Sequence, residues 1–356
     1  MYDIVIVGAG PAGSTLARLL PKVLKVLIID KRNLNEYPPK KEKACGGLIS
    51  PDAQRMLAKF DIGLEKGILV SPQLFAVKVI DNDNNLERFY QRNYVNIDRE
   101  KFDRALTKYI PENVEQIYNV KFNNCTKESN GYRFEYFENN ELKSIETKII
   151  VGADGGNSIL RKSLYPDDKI KKYISIQKWY LQDEPVNHYT AIFDKEISDY
   201  YSWTISKDNM LVLGTAISVN EENPHAKFDE LEELIKSKGY DVSRETKTEG
   251  AFILRPTKLR DIKSGKDDIY LIGEAAGLIS PSSAEGFSYA MKSAVYLSKA
   301  LQTISPRKSY KRQLVKLKLN LLFKYIKLPA MYNKFFRKII LKTNLMTINV
   351  SKNKGE

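Results

Sequence analysis

The stretch Ile4-Val5-Ile6-Val7-Gly8-Ala9-Gly10-Pro11-Ala12-Gly13 decides the fold. Its first four residues are a β-branched run without alternation, the pattern of a strand buried on both faces of a parallel sheet. The three glycines have separate reasons. Gly8 permits the tight turn, Gly10 lets backbone N–H groups approach a pyrophosphate, and Gly13 lets the next helix pack close to the strand. That helix, predicted to run to Leu20, carries Ala12 in its first turn and directs its N-terminal amides at phosphate charge. A second strand over 26–29 ends at Asp30, where a carboxylate can accept ribose hydroxyls. Strand, glycine turn, helix, strand and terminal acid together specify a dinucleotide site. They do not choose between NAD and FAD.

Working outward, the 356 residues are 42% hydrophobic and 28% charged, which excludes disorder, collagen and coiled coil. Only Cys45, Cys125, His188 and His225 supply thiols and imidazoles, too few for a disulfide scaffold or a Cys/His zinc site. A reducing compartment is expected. No positively charged leader and no run of ~18 apolar residues is present, so neither export nor a spanning helix is expected. The expected location is the cytoplasm, with the inner face of the membrane as a candidate surface. The formal net charge is +13, and the tail from Ser305 to Glu356 carries 14 basic residues against one acidic. The preceding body is therefore neutral, and the charge belongs to the tail.

Further glycine-rich segments follow. Cys45-Gly46-Gly47 comes after a basic loop with Pro38, Pro39, Lys40, Lys41 and Lys43. Gly152-Ala153-Asp154-Gly155-Gly156-Asn157-Ser158 precedes Arg161, and Gly273-Glu274-Ala275-Ala276-Gly277 precedes Glu285-Gly286-Phe287. In this order, over residues 1–301, the segments resemble the FAD-dependent geranylgeranyl reductase-like group of the flavoprotein hydroxylase superfamily. Lys43 to Leu48, Tyr201 to Asp208 and Gly273 to Gly277 are most similar to the bacterial CbrA-like flavoproteins.

The resemblance implies FAD as cofactor. It places Asp154 near the flavin, holding backbone N–H groups, and sets Glu274 where most relatives carry an Asp on the ribityl chain. Gly286 and Phe287 would open a helix aimed at the pyrimidine edge of the flavin. Arg99 falls where relatives contact phosphates or ribityl, just after Asp98, a helix N-cap by its residue type. Val120 would lay its backbone on the adenine. Cys45 would lie beside the flavin, as a chemically active thiol or as a small packing residue. No metal site is expected.

Between the motifs, alternating runs over 75–80, 86–90, 173–181, 188–193, 200–206, 210–217 and 250–254 predict an antiparallel sheet above the flavin. Its aromatic residues, Tyr201 and Trp203 foremost, fit either an apolar substrate pocket or an ordinary strand core. The fold expected is α/β: a Rossmann-type FAD-binding domain (1–70, 95–170, 259–304) interleaved with an antiparallel β-sheet substrate domain (71–94, 171–258), plus a basic helical tail (305–356). In the tail Leu314, Leu317, Leu321, Tyr325 and Leu328 share a helical face, and Pro329 is expected to end or kink the helix. That face fits an anionic membrane surface or a capping role on the domain; nucleic acid is disfavoured.

The resemblance implies an FAD-dependent oxidoreductase that reduces carbon–carbon double bonds of an isoprenoid or another lipophilic small molecule by hydride transfer. No second glycine-rich dinucleotide motif occurs, so NAD(P)H would visit transiently or another electron donor would serve. Alternatives are an FAD-dependent monooxygenase and, from another class, an RNA-associated or non-catalytic flavin-binding protein. The paired-Trp signature of flavin halogenases is absent around Trp203.

Overall fold

In the computed structural model, which describes residues 1–39 and 42–350, the opening run forms the strand Tyr2–Val7. Lys40 and Lys41 of the basic loop, and the last six residues of the tail with two of its 14 basic residues, lie outside the described residues. Tyr2–Val7 pairs in parallel with Val26–Asp30 on one side and Glu141–Gly152 on the other. Ile269–Leu271 and Val114–Tyr118 extend this parallel set at its two ends. Leu16, Ala290, Ala294 and Leu297 from helices join Phe122, Phe134 and Tyr136 from strands in the same core cluster as Ile4 to Val7. No face of the opening strand is left to water, hence its unbroken β-branched run.

Parallel sheets bind ligands beyond the carboxyl ends of their strands. Here those ends run directly into the motifs: Val7 into Gly8, Asp30 into Arg32, Gly152 into Asp154 and Leu271 into Gly273. The architecture is the α/β Rossmann type that the βαβ reading requires.

The second sheet runs in the order Glu245–Arg255, Lys171–Leu181, Met210–Ser218, Ser202–Lys207, Tyr189–Phe193, Leu74–Asp81, Leu86–Asn96. Leu74–Asp81 and Leu86–Asn96 form the expected hairpin, turned through Asn82–Asn84 with Asn85 left-handed at φ 50. One pairing departs from the antiparallel expectation: Tyr189–Phe193 runs parallel to Leu74–Asp81. These two strands are far apart in sequence and joined through strands of the other sheet, so no tight turn dictates their direction.

The C-terminal segment packs on both sheets. The long helix Pro306–Tyr332 buries Tyr310, Leu314, Leu317 and Leu321 in the core of the parallel-sheet layer. The Leu314 face, expected to meet either a membrane or the domain, is thus spent on the domain. Nor does the helix end at Pro329; it continues to Tyr332 at the loss of one N–H rung. Met331 and Tyr332 then pack against the aromatic cluster of the second sheet, and Tyr332 Oη donates to Ser282 O at 2.7 Å. The short helix Lys334–Lys342 is fastened by Arg337, whose guanidinium pairs with Asp81 at 2.8 Å and with Asp83. Finally Thr347–Ile348 adds to the edge of Leu86–Asn96. The segment straps one sheet to the other. Among the described residues no helix is long and apolar enough to cross a membrane.

Candidate functional site

The glycine turn shows why its three positions lack side chains. Gly8 has φ 107, and a Cβ there would lie 2.5 Å from Ala153 O. At Gly13 a Cβ would meet Gly8 O at 1.8 Å, whereas at Gly10 it would meet nothing within 4 Å. Gly8 and Gly13 are therefore closed by protein, and Gly10 opens onto space. The helix Pro11–Leu19 starts there with no side-chain cap and no acidic residue in its first turn, which leaves amides for an anion. Asp30 braces the same turn, accepting from Ala9 N–H through Oδ2 and from Arg32 N–H through Oδ1, both at 2.8 Å. Ala12 sits against Gly273, whose Cβ position lies 3.0 Å from the Ala12 methyl. Val120 is held alongside Asp30 because Asn119 N–H donates to Arg32 O at 3.1 Å.

A second group forms around Arg99. Asp98 caps the helix Arg99–Thr107, accepting from the N–H groups of Glu100 and Lys101, which sets Arg99 at its first position. The Arg99 guanidinium donates to Asp103 Oδ1 at 2.8 Å and to Cys45 Sγ at 3.3 Å, and lies 4.6 Å from the Phe287 ring centroid. Cys45, Arg99 and Phe287 are thereby brought together. Asp103 is fully buried and also pairs with Arg32 at 2.9 Å. Burial alone would raise its pKa, but the Arg99 and Arg32 guanidinium groups hold its carboxyl well below the usual range. Arg99 likewise draws the Lys43 ammonium down to about 8.

Lys207, at the end of Ser202–Lys207, was not found by sequence reasoning. Its buried Nζ donates to Asn96 Oδ1 at 2.6 Å, Ile97 O at 2.8 Å and Gly47 O at 3.2 Å. Burial pulls its pKa to about 7, while three oxygen acceptors match the three donors of the charged form. Lys207 thus pins the Gly46-Gly47 turn, where Gly47 has φ 58. At Gly46 a Cβ would lie 2.6 Å from Ile205 Cδ1, so the loop rests directly on the second sheet.

The remaining motifs close the ring. Asp154 Oδ2 accepts from Ile159 N–H at 2.8 Å, while Oδ1 is buried without a partner among the described residues. Burial raises the Asp154 pKa. The Glu274 carboxylate accepts from Leu254 N–H at 3.0 Å and packs against Gly156. Its carboxylate therefore ties the Gly273 turn to the second sheet. Arg161 serves as a brace, donating to Asp168, Ala275 O and Asp261 O. Gly286 caps the helix Phe287–Leu301. Tyr201 and Trp203 are buried, with ring centroids 5.5 Å apart, and the indole lies across Gly214, whose Cβ position is 2.5 Å from the ring. Gly214 was invisible in the sequence; a glycine facing an aromatic on the neighbouring strand is a pattern that only the register reveals.

An unobstructed Gly10, free helix amides and an orphaned Asp154 oxygen fit a bound dinucleotide. The FAD binding domain family matches residues 1–306. The chain belongs to the FAD binding domain family. This flavoprotein's cofactor is FAD. It is 37% identical to Protein CbrA of Escherichia coli O9:H4 (strain HS) over 98% of this chain and 94% of that protein. Identity to Protein CbrA of Shigella sonnei (strain Ss046) is also 37%, over 98% of both. Among solved structures, a geranylgeranyl bacteriochlorophyll reductase-like protein from Thermoplasma acidophilum superposes with a TM-score of 0.77 at 19% identity, covering 96% of this chain and 87% of that one. The flavin-dependent halogenase CmlS superposes with a TM-score of 0.70 at 16% identity, covering 99% and 68%. These likenesses establish the fold of this family member.

Arg99→Met is expected to weaken FAD binding by roughly tenfold or more, because it leaves buried Asp103 with one partner fewer and frees the Cys45 loop. Fluorescence titration of FAD into the apoprotein measures the change; unaltered affinity would remove Arg99 from the cofactor site.

Proposed function

We propose that this flavoprotein reduces carbon–carbon double bonds of an isoprenoid or similarly lipophilic substrate. The observation that carries the reading is the wall formed by Tyr201, Trp203 and Ile205. Successive even-spaced residues of a strand share a face, and all three lie in one apolar cluster with Phe193 and Tyr200. Ile205 ends that wall in contact with Gly46, so the apolar cluster continues up to the Cys45–Gly47 loop.

Once reduced, bound FAD would supply the hydride to one alkene carbon, with a solvent-derived proton completing the other. The chain's own residues orient and exclude water: the wall favours an apolar chain, and Arg99 and Lys207 fix the loop beside it from opposite ends. The likeness to a reductase-like protein supports this reading at the level of fold, although the fold is shared with a halogenase. NAD(P)H or another donor replenishes the electrons.

The test uses full-length, FAD-loaded protein reduced with dithionite under anaerobic conditions and mixed with a polyprenyl diphosphate. Mass spectrometry is expected to find a gain of two hydrogens per reduced double bond. Oxygen from labelled O₂ in the product of an aerobic reaction would overturn the reductase reading and assign a monooxygenase.

A further inference from the structure

The long C-terminal helix is apolar on two sides. Leu314, Leu317 and Leu321 face the core, but Val315, Leu319, Leu322, Phe323 and Ile326 recur at helical spacing on another side and are exposed. Phe323 and Ile326 are 65% and 68% exposed, a degree that ordinary packing does not explain for side chains of this size. The short terminal helix repeats the arrangement, burying Arg337 and Leu341 while exposing Phe335, Phe336, Ile339 and Ile340. Leu345 and Met346 continue the series at 70% and 72% exposed.

The flanks are basic. Lys308, Lys311, Arg312, Lys316, Lys327, Lys334, Lys338 and Lys342 alternate with these apolar residues, and residues 305–350 contain no acid. An apolar stripe rimmed by cations is the form of a helix that lies in the plane of a lipid interface. A second copy of the chain would bring the same positive field against it, and nucleic acid would leave Phe323, Ile326 and Phe335 unburied.

From this arrangement we infer that the outward face of residues 315–346 docks on the surface of an anionic lipid bilayer. The face is the opposite of the Leu314 stripe that the sequence pattern singles out, and the inference does not depend on the reductase reading. The strap holds the exposed residues in place without the membrane, so binding requires no ordering of the segment and leaves the FAD domain unchanged.

The experiment compares full-length, FAD-loaded wild type with the double variant Phe323→Asp/Phe335→Asp. Both are spun with vesicles of equal parts phosphatidylglycerol and phosphatidylcholine, and with pure phosphatidylcholine vesicles. Wild type is expected to co-sediment with the anionic vesicles about tenfold more than with the neutral ones. The double variant is expected to lose that binding while keeping its flavin absorbance and melting temperature, since both positions are exposed. Equal sedimentation of wild type and double variant overturns the proposal. So does wild type that ignores anionic vesicles, or that forms in analytical ultracentrifugation a dimer which the double variant abolishes; the dimer would assign the face to a second copy.

Discussion

Gly10→Ala is expected to give a colourless protein that melts at the temperature of wild-type apoprotein, whereas Gly13→Ala is expected to lose colour and to melt below it. The two substitutions add the same methyl group three residues apart in one turn. At Gly10 it meets no protein atom within 4 Å, so the fold tolerates it. It projects into the space beside the uncapped helix amides, where a phosphate must approach closely. FAD affinity falls by roughly tenfold or more, the loss of a charge-assisted hydrogen bond or two. At Gly13 the methyl group meets the backbone oxygen of Gly8 at 1.8 Å, and neither backbone can yield without moving the first strand away from the first helix. Overpacking of this kind costs about 1–3 kcal/mol or more. Flavin absorbance at purification and thermal melting separate the two outcomes. A yellow Gly10→Ala protein with wild-type affinity would place the pyrophosphate elsewhere.

The second large effect is expected at the C-terminal strap. Arg337→Met removes the cation that faces Asp81, which is fully buried, and Asp83. Breaking one side of a buried ion pair typically costs about 3–5 kcal/mol, because the remaining charge has neither water nor a partner. The loss falls where the short terminal helix meets the hairpin Leu74–Asp81 and Leu86–Asn96. Limited proteolysis is expected to cleave the variant after the long helix, and the melting transition is expected to drop or divide. Because Arg337 touches neither the glycine turn nor the Cys45 loop, FAD colour is expected to persist. A variant as protease-resistant as wild type would show that the strap is held by its apolar contacts alone.

The first fifty residues were legible because their physical demands are local. A doubly buried strand, a turn with left-handed φ at Gly8 and a helix packed without room for a Cβ each leave a residue-type signature within a few positions. Arg99 and Phe287 were legible only through resemblance, and their meeting over Cys45 was not, since it joins three segments far apart in the chain. Asp103 could have been noticed, four residues after Arg99 on one helix, where opposite charges face each other. Lys207 and Arg32 had no comparable signal, because a buried cation looks like a surface one until its acceptors are known. The parallel strand pair and the strap were hidden for a related reason. Alternation fixes which face of a strand is buried but not the direction of its partner, and the Leu314 stripe masked a second apolar side on the same helix.

Pro329 gives the strap one further property. Leu314 to Leu321 grip the parallel sheet, Tyr332 and Arg337 grip the other, and the proline stands between them. A helix bends most readily where a rung is missing. Relative motion of the two sheets therefore concentrates its bending at this single turn, and the chain's last helices act as a tether of fixed length. Any change in the spacing of the two sheets is thereby limited to what that turn can flex.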